Sequence, residues 1–234
     1  APASPIEMAN MEIDSIHIYL DWINLMSYDY HGAWNGEADA VTHFHAPLSI
    51  TDDPIPEPYH SQFNVEATIA NYLAEGVPAE KLHPGIPFYG RGYSQVANVN
   101  NGLFASYNGA CPGTWETGNL DFWDLQANYI NVNGYTEFWD EQAHAAWVYN
   151  PDTQIMISYD NAQSIHDKAL FINELELGGA MFWEFSGDRE ETLLSELFST
   201  LQDTSVTTTP RAAPKAVFPI IISSYPNPFN PETN

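Results

Sequence analysis

Positive charge is what this sequence most lacks. Six Lys and Arg stand against 31 Asp and Glu, a formal net charge of -25 over 234 residues. That balance excludes nucleic acid or an anionic membrane as a partner, because both are gripped through a basic footprint. Two readings of the excess acid stay open: a neutral or basic substrate, and adaptation to salt or plain solubility. Cysteine is nearly absent as well. Cys111 stands alone, so no internal disulfide forms; it is a buried thiol or has lost its partner to truncation. No run of about eighteen apolar residues occurs, so no membrane insertion is expected, and no secretion-signal pattern leads the chain. Residue 1 is Ala, and Ala1-Pro2-Ala3-Ser4-Pro5 reads as a loop already in progress. The chain is therefore expected to begin inside a longer protein.

What is present is apolar and aromatic. The sequence is 44% hydrophobic, enough for a core, with 7 Trp and 13 Tyr. Aromatics with few cations fit sugar-stacking surfaces, although most such rings fill cores. The stretch Trp22–Trp34 begins as an apolar run of strand length and ends in a polar, Gly-containing loop. Alternation along a strand puts Met26 and Tyr28 on one face and Leu25 and Ser27 on the other, with Asp29 at the rim. In parallel α/β folds ligands sit at the C-terminal strand ends.

Residues 1–13 read as a Pro-containing loop, and Asp14 to Leu20 as a short helix feeding a strand over roughly Trp22 to Tyr28. A long loop spans about residues 30–62. Its His43-Phe44-His45 pair has no third ligand at metal-binding spacing, so no metal or other cofactor is expected. Asn64 caps a helix from Val65 to Glu75, closed by Gly76 and Pro78. Leu82 to Arg91 reads as a second buried strand, with Pro84 and Pro87 unusual inside it. Strand, helix, strand makes a right-handed βαβ unit.

Residues 92–158 break that rhythm. They hold Trp115, Trp123, Trp139 and Trp147. Ala146–Tyr149 and Ile155–Tyr159 flank a turn at Asn150-Pro151-Asp152 and read as a hairpin. Then Ser164 caps a helix to about Leu175, Gly179–Phe185 is a third buried strand, and Asp188 with Glu191 starts a last helix whose core face is Leu193, Leu194, Leu197 and Leu201. Residues 204–215 are a linker.

Three strand ends thus carry Met26, Tyr28 and Asp29; Tyr89 and Arg91; and Met181 and Trp183. Converging, they would form a cleft with a Trp floor, two phenols, a carboxylate and a guanidinium. An aromatic floor stacks on a pyranose while the polar groups read hydroxyls and an amide, which is carbohydrate chemistry. Met26, Met181 and Trp183 serve equally as barrel core, and Trp34 as a packed loop residue.

Met26-Ser27-Tyr28-Asp29-Tyr30-His31-Gly32 resembles the Met-x-Tyr-Asp segment of family 18 glycoside hydrolases, the chitinases. Lys81 through Arg91 resembles their following strand. Tyr159-Asp160-Asn161 through Ser164 and Lys168, then Gly178 to Trp183, is similar to their last helix and strand. The blocks occur in order over about residues 1–201. The resemblance implies an α/β fold, an incomplete (β/α)8 TIM barrel of the last three or so βα units with an inserted α+β subdomain. Residues 1–91 and 159–203 would be barrel, 92–158 the insertion. It also implies a retaining, substrate-assisted reaction on β-1,4-linked N-acetylglucosamine polymers, an exception to the two-carboxylate scheme. Tyr28 would hold the acetamido group for attack and Asp29 would support it. Met26, Trp34, Tyr89, Arg91, Met181 and Trp183 would bind chitin or chito-oligosaccharides. The family's general acid ends an Asp-x-x-Asp-x-Asp-x-Glu motif upstream of this stretch, and the chain contains no such motif. Glu184 faces outward by alternation, and Glu57, Glu66 and Glu75 lie on loop or helix, so none replaces it. The fragment alone is expected to be inactive. A chitin-binding lectin-like relative and an endo-β-N-acetylglucosaminidase are the alternatives.

Residues 216–234, through Tyr225-Pro226-Asn227-Pro228-Phe229-Asn230-Pro231, resemble the start of a type IX secretion C-terminal sorting domain. That implies contact with secretion machinery and a secreted or surface-attached bacterial protein; a Pro-rich linker of another extracellular protein is the alternative.

Overall fold

The computed structural model of the chain describes residues 1–34 and 36–203, so the tail motif at 225–231 lies outside the described residues. Strands follow in chain order as β1 (Ile23–Leu25), β2 (Leu82–Pro87), β3 (Tyr89–Tyr93), β4 (Asn119–Asp121), β5 (Thr136–Asp140), β6 (Ala145–Asn150), β7 (Ile155–Tyr159) and β8 (Met181–Trp183). They form two sheets. A parallel one has the order β1-β2-β8, and a five-stranded one has the order β4-β3-β7-β6-β5, with antiparallel pairing throughout.

The run expected from Leu82 to Arg91 divides at Phe88. Phe88 N donates to Trp183 O at 2.7 Å, and Phe88 O accepts from Phe122 N at 3.0 Å. The chain therefore leaves one sheet and enters the other within a single residue, and Tyr89 and Arg91 belong to the antiparallel sheet. Pro84 and Pro87 are tolerated by the same arrangement. The first half of β2 pairs only β1, with Leu25 opposite Pro84, and the second half only β8, with Trp183 opposite Pro87. Each half is thus an edge on one side among the described residues, where a missing N–H orphans no ladder partner.

The opening differs from the expected loop in one place: Pro5–Met8 is a short helix, with Pro5 in the first turn, where a missing N–H costs nothing. The short helix expected from Asp14 to Leu20 is present as Ile13–Ile16 followed by a 3-10 turn at His17–Tyr19. The first strand is also shorter than expected, stopping at Leu25. Helix Val65–Ala74 is capped as expected, Asn64 Oδ1 accepting from Ala67 N at 2.8 Å. Helix Ala162–Glu174 is capped by Asn161 rather than Ser164; Asn161 Oδ1 accepts from Ser164 N at 3.0 Å. Before helix Thr192–Gln202, Asp188 accepts from Thr192 N and Leu194 N at 3.0 and 2.8 Å. Glu191 takes a left-handed conformation and makes no side-chain cap.

The amphipathic faces decide the packing. Val65, Ile69 and Tyr72 close over Ile23, Leu25 and Leu82 on one side of the parallel sheet. Ile165, Ala169, Leu193 and Leu197 pack against Ile86, Phe88, Ile157 and Tyr159. Phe44, Tyr93, Trp147 and Tyr149 make a third cluster. The long loop is pinned at its middle: Thr42 N donates to Ala105 O and Leu48 N to Ala143 O, both at 2.9 Å. Lys168 Nζ, itself bound to Asp160, donates to Ala46 O at 2.7 Å. No helix among the described residues is long and apolar enough to cross a membrane.

Candidate functional site

The site grows from the end of β1. Leu25 and Ser27 are fully buried while Met26 between them is exposed, as strand alternation requires. Ser27 ties this segment to β2, its Oγ accepting from Gly85 N at 2.8 Å and donating to Gly85 O at 3.1 Å. Gly85 is needed for close approach. A Cβ there would collide with the Leu25 carbonyl, lie 2.6 Å from Tyr28 Cε1 and 3.0 Å from Met181 Cε. Tyr28 and Met181 thus both approach the bare backbone at Gly85.

Asp29 then turns the chain, with φ 59°, a conformation for which Asp is among the better-tolerated residues. Its carboxylate meets β3. Arg91 Nε donates to Asp29 Oδ1 at 2.8 Å and Nη2 to Oδ2 at 2.6 Å. This bidentate fork is the strongest geometry available to the pair. His45 Nδ1 lies 3.5 Å from the same Oδ1. Tyr89 stands edge-on to Tyr28, ring centroids 6.1 Å apart. The Arg91 guanidinium carbon lies 5.1 Å from the Tyr89 ring centre and 5.5 Å from that of Trp34, within cation–π range. Gly32 leaves room for the Trp34 indole, which a Cβ would approach to 2.7 Å.

The electrostatics follow. Burial opposes ionisation of Asp29, but hydrogen bonds and charge from Arg91 and His45 outweigh it and hold the carboxyl well below the usual carboxylate range. Burial, and then the Asp29 charge, push the Tyr28 phenol up to about 12. Tyr89 is raised further for the same two leading reasons, with Arg91 opposing. At neutral pH the cluster therefore offers neutral phenols, a fixed carboxylate and a guanidinium. It offers no carboxylic acid with a proton to give.

The structure brings Tyr28, Asp29, Tyr89, Arg91 and Trp34 together, and Met181 reaches the same bare backbone at Gly85 that Tyr28 does. Trp183 ends β8 opposite Pro87, half exposed at 51%, and its peptide bond to Glu184 is cis. Glu184 is exposed and bonded by Ser186 Oγ. Glu57 is engaged by Ser61 Oγ at 2.6 Å. Two features were not singled out from sequence. Trp115 is 77% exposed, and its Nε1 and that of Trp123 both donate to Asp121 Oδ2 at 2.9 Å. Asp121 pairs with Tyr89 across β4 and β3, so these indoles adjoin the cluster; the Trp-x-x-x-x-x-Asp-x-Trp spacing was the available signal. The other is His45: its spacing from His43 raises only the metal question, and nothing in its neighbours announces a contact with Asp29 sixteen residues back.

The chain matches the family described as Glycosyl hydrolases family 18 over residues 1–188. It is 44% identical over 200 residues to Chitinase A1 of Niallia circulans, covering 83% of this chain and 28% of that protein. Among solved structures it superposes on chitinase ChiA74 from Bacillus thuringiensis with a TM-score of 0.78 at 36% identity, covering 86% of this chain and 34% of that one. On a family 18 N-acetylglucosaminidase from Paenibacillus barengoltzii the TM-score is 0.74 at 34% identity, covering 86% and 55%. The chain thus spans between about a quarter and just over half of the length of the proteins it matches.

Proposed function

Because this chain belongs to glycosyl hydrolase family 18, we propose that it supplies the acetamido-holding side of the cleft of a chitinase acting on β-1,4-linked N-acetylglucosamine polymers. The observation that carries this reading is the cluster around Asp29. A phenol kept neutral to about 12 remains an O–H donor at working pH, and Tyr28 is half-exposed beside the anchored carboxylate. Such a donor suits the carbonyl oxygen of an acetamido group. In a retaining, substrate-assisted reaction that oxygen attacks the anomeric carbon and the glycosidic bond breaks as a carboxylic acid protonates the leaving oxygen. Tyr28 orients the attacking oxygen. Asp29 supports the positive charge that develops on the ring it forms. Arg91, Tyr89, Met26 and Met181 shape the pocket, and Trp34 and Trp183 offer stacking planes, to which Trp115 adds a third.

The general acid lies outside this set, since Asp29 is held ionised and Glu184 is exposed. We place the parallel strands β1, β2 and β8 in a (β/α)8 barrel and the antiparallel sheet in its insertion. The parallel order of β1, β2 and β8, with helices between, supports that placement. The tail at 225–231, outside the described residues, we read as a sorting signal for a secreted or surface-held enzyme.

A binding-only role shares most of these features and is separated by experiment. Tryptophan fluorescence and calorimetric titration of the 234-residue chain with chitotetraose and cellotetraose test the acetamido reading. Chitotetraose is expected to bind and cellotetraose to bind far more weakly; equal affinity for both sugars would sink the reading. No turnover of chito-oligosaccharides is expected from this chain alone.

A further inference from the structure

One polar side chain at Asp29 takes no part in the sugar chemistry proposed. His45 is 1% exposed. Its backbone is fixed on both sides, His45 N donating to Ser158 Oγ at 3.1 Å and His45 O accepting from Tyr30 N at 2.9 Å. Its ring packs against Tyr89 with centroids 5.4 Å apart. Nδ1 reaches Asp29 Oδ1 at 3.5 Å, and Nε2 is buried with no hydrogen-bond partner among the described residues. A buried nitrogen without a partner costs stability, and an apolar side chain of similar volume avoids that cost. The polar link this imidazole makes is to Asp29.

The protonation pattern follows from Asp29. Arg91 keeps that carboxylate ionised, so Oδ1 can only accept, and Nδ1 must carry the proton. Nε2 is then a bare lone pair. The alternative, a doubly protonated ring, would bury a second positive charge near Arg91. Burial and the Arg91 charge disfavour that cation; Asp29 and Asp160 favour it, without overcoming the burial. The Asp160 charge is itself taken up by Lys168 Nζ at 2.7 and 2.6 Å.

We propose that His45 is a positioning residue for Asp29, a neutral Nδ1–H imidazole that tethers Oδ1 and keeps the carboxylate, with the adjoining Tyr28, in the orientation that receives an acetamido sugar. The inference rests on the sugar-holding role proposed for Tyr28 and Asp29. Arg91 sets the plane of the carboxylate through two bonds, and His45 adds a third contact from a different chain segment. Orientation is then determined even when sugar competes for one oxygen.

Two measurements on the full 234-residue chain decide it. In 15N-histidine-labelled protein at neutral pH, the His45 ring is expected as the Nδ1–H tautomer, the minor form of free imidazole, and Asp29→Ala should release it towards Nε2–H. An Nε2–H or doubly protonated ring in the unmutated chain would overturn the assignment, whether or not sugar binds. In the second measurement, His45→Leu is expected to weaken chitotetraose binding roughly tenfold while the melting temperature holds or rises. His45→Asn, whose amide keeps an N–H donor, should recover part of the affinity. Unchanged affinity in His45→Leu, or affinity and melting temperature falling together without recovery in His45→Asn, would reduce His45 to packing. If the unmutated chain binds no chitotetraose, the sugar reading fails and the labelled-histidine experiment still decides the contact with Asp29.

Discussion

Arg91 holds both oxygens of Asp29 across 62 residues of sequence, Nε to Oδ1 at 2.8 Å and Nη2 to Oδ2 at 2.6 Å. The pair joins the parallel sheet to the antiparallel one, because Asp29 leaves β1 and Arg91 sits on β3. It is partly exposed, the Asp29 side chain at 27%. Its worth should therefore fall between that of a surface pair and a buried one.

Replacing Arg91 with Met should cost about 2 kcal/mol at neutral pH, from the uncompensated carboxylate left behind. The pH dependence has a definite sign. The Asp29 carboxyl is held below its ordinary value, so the folded state binds fewer protons than the unfolded state. That contribution is complete above an unfolded value of about 4 and is lost as pH falls below it. Denaturant titrations over the acid range should show the unmutated chain losing stability more steeply than Arg91→Met. Parallel curves would remove the ion pair as the cause.

Lys168 and Asp160 are both buried and bonded at 2.7 and 2.6 Å. Lys168→Met should destabilise by about 3–5 kcal/mol, because it strands a buried carboxylate and frees the Ala46 carbonyl. A Lys168→Met, Asp160→Leu double variant should recover much of that loss. Urea unfolding midpoints test both; a double variant as unstable as the single one would mean that lost packing, not stranded charge, sets the cost.

Gly85→Ala should be poorly tolerated. Its Cβ would meet the Leu25 carbonyl and the Tyr28 ring, and backbone cannot move aside as a side-chain tip can. A loss of about 1–3 kcal/mol is expected, with a weaker response to chitotetraose because Tyr28 is displaced. Unchanged sugar affinity in a folded Gly85→Ala chain would show that the position of Tyr28 is not critical.

Trp115 offers a mostly bare indole held by Asp121. Trp115→Ala should leave the melting temperature within about a degree or two, as surface substitutions do. It should reduce affinity for longer chito-oligosaccharides more than for the dimer. Equal losses across chain lengths would place Trp115 outside the sugar path.

The elements that were legible are those whose signal is local. The helix after Asn64 begins where a capping Asn precedes an apolar face, and the hairpin over β6 and β7 turns where Asn150 accepts from Asp152 N and Thr153 N at 2.9 and 3.2 Å. The division at Phe88 was not legible, because Leu82–Tyr93 is extended on both sides of it and only the partners differ. The short helix at Pro5–Met8 was hidden because prolines at 2 and 5 suit a first helical turn as well as a loop. Tyr28 and Asp29 stood out at a strand end, and Arg91 at another. Nothing in the order of residues states that Arg91 clasps Asp29.

Sequence by itself determined the alternation that exposes Met26 and buries Leu25 and Ser27, the cap at Asn64, and the acidic balance of the chain. These depend on neighbours within a turn or two, or on summed charge. Tertiary structure alone decided that Asp29 is a fixed anion rather than an acid, and that His45, read as a loop residue, stands against it. Ionisation depends on burial and on charges a few ångströms away, and those arrive from β3 and from the loop at 42–48, distant in the chain and adjacent only once the two sheets are folded together.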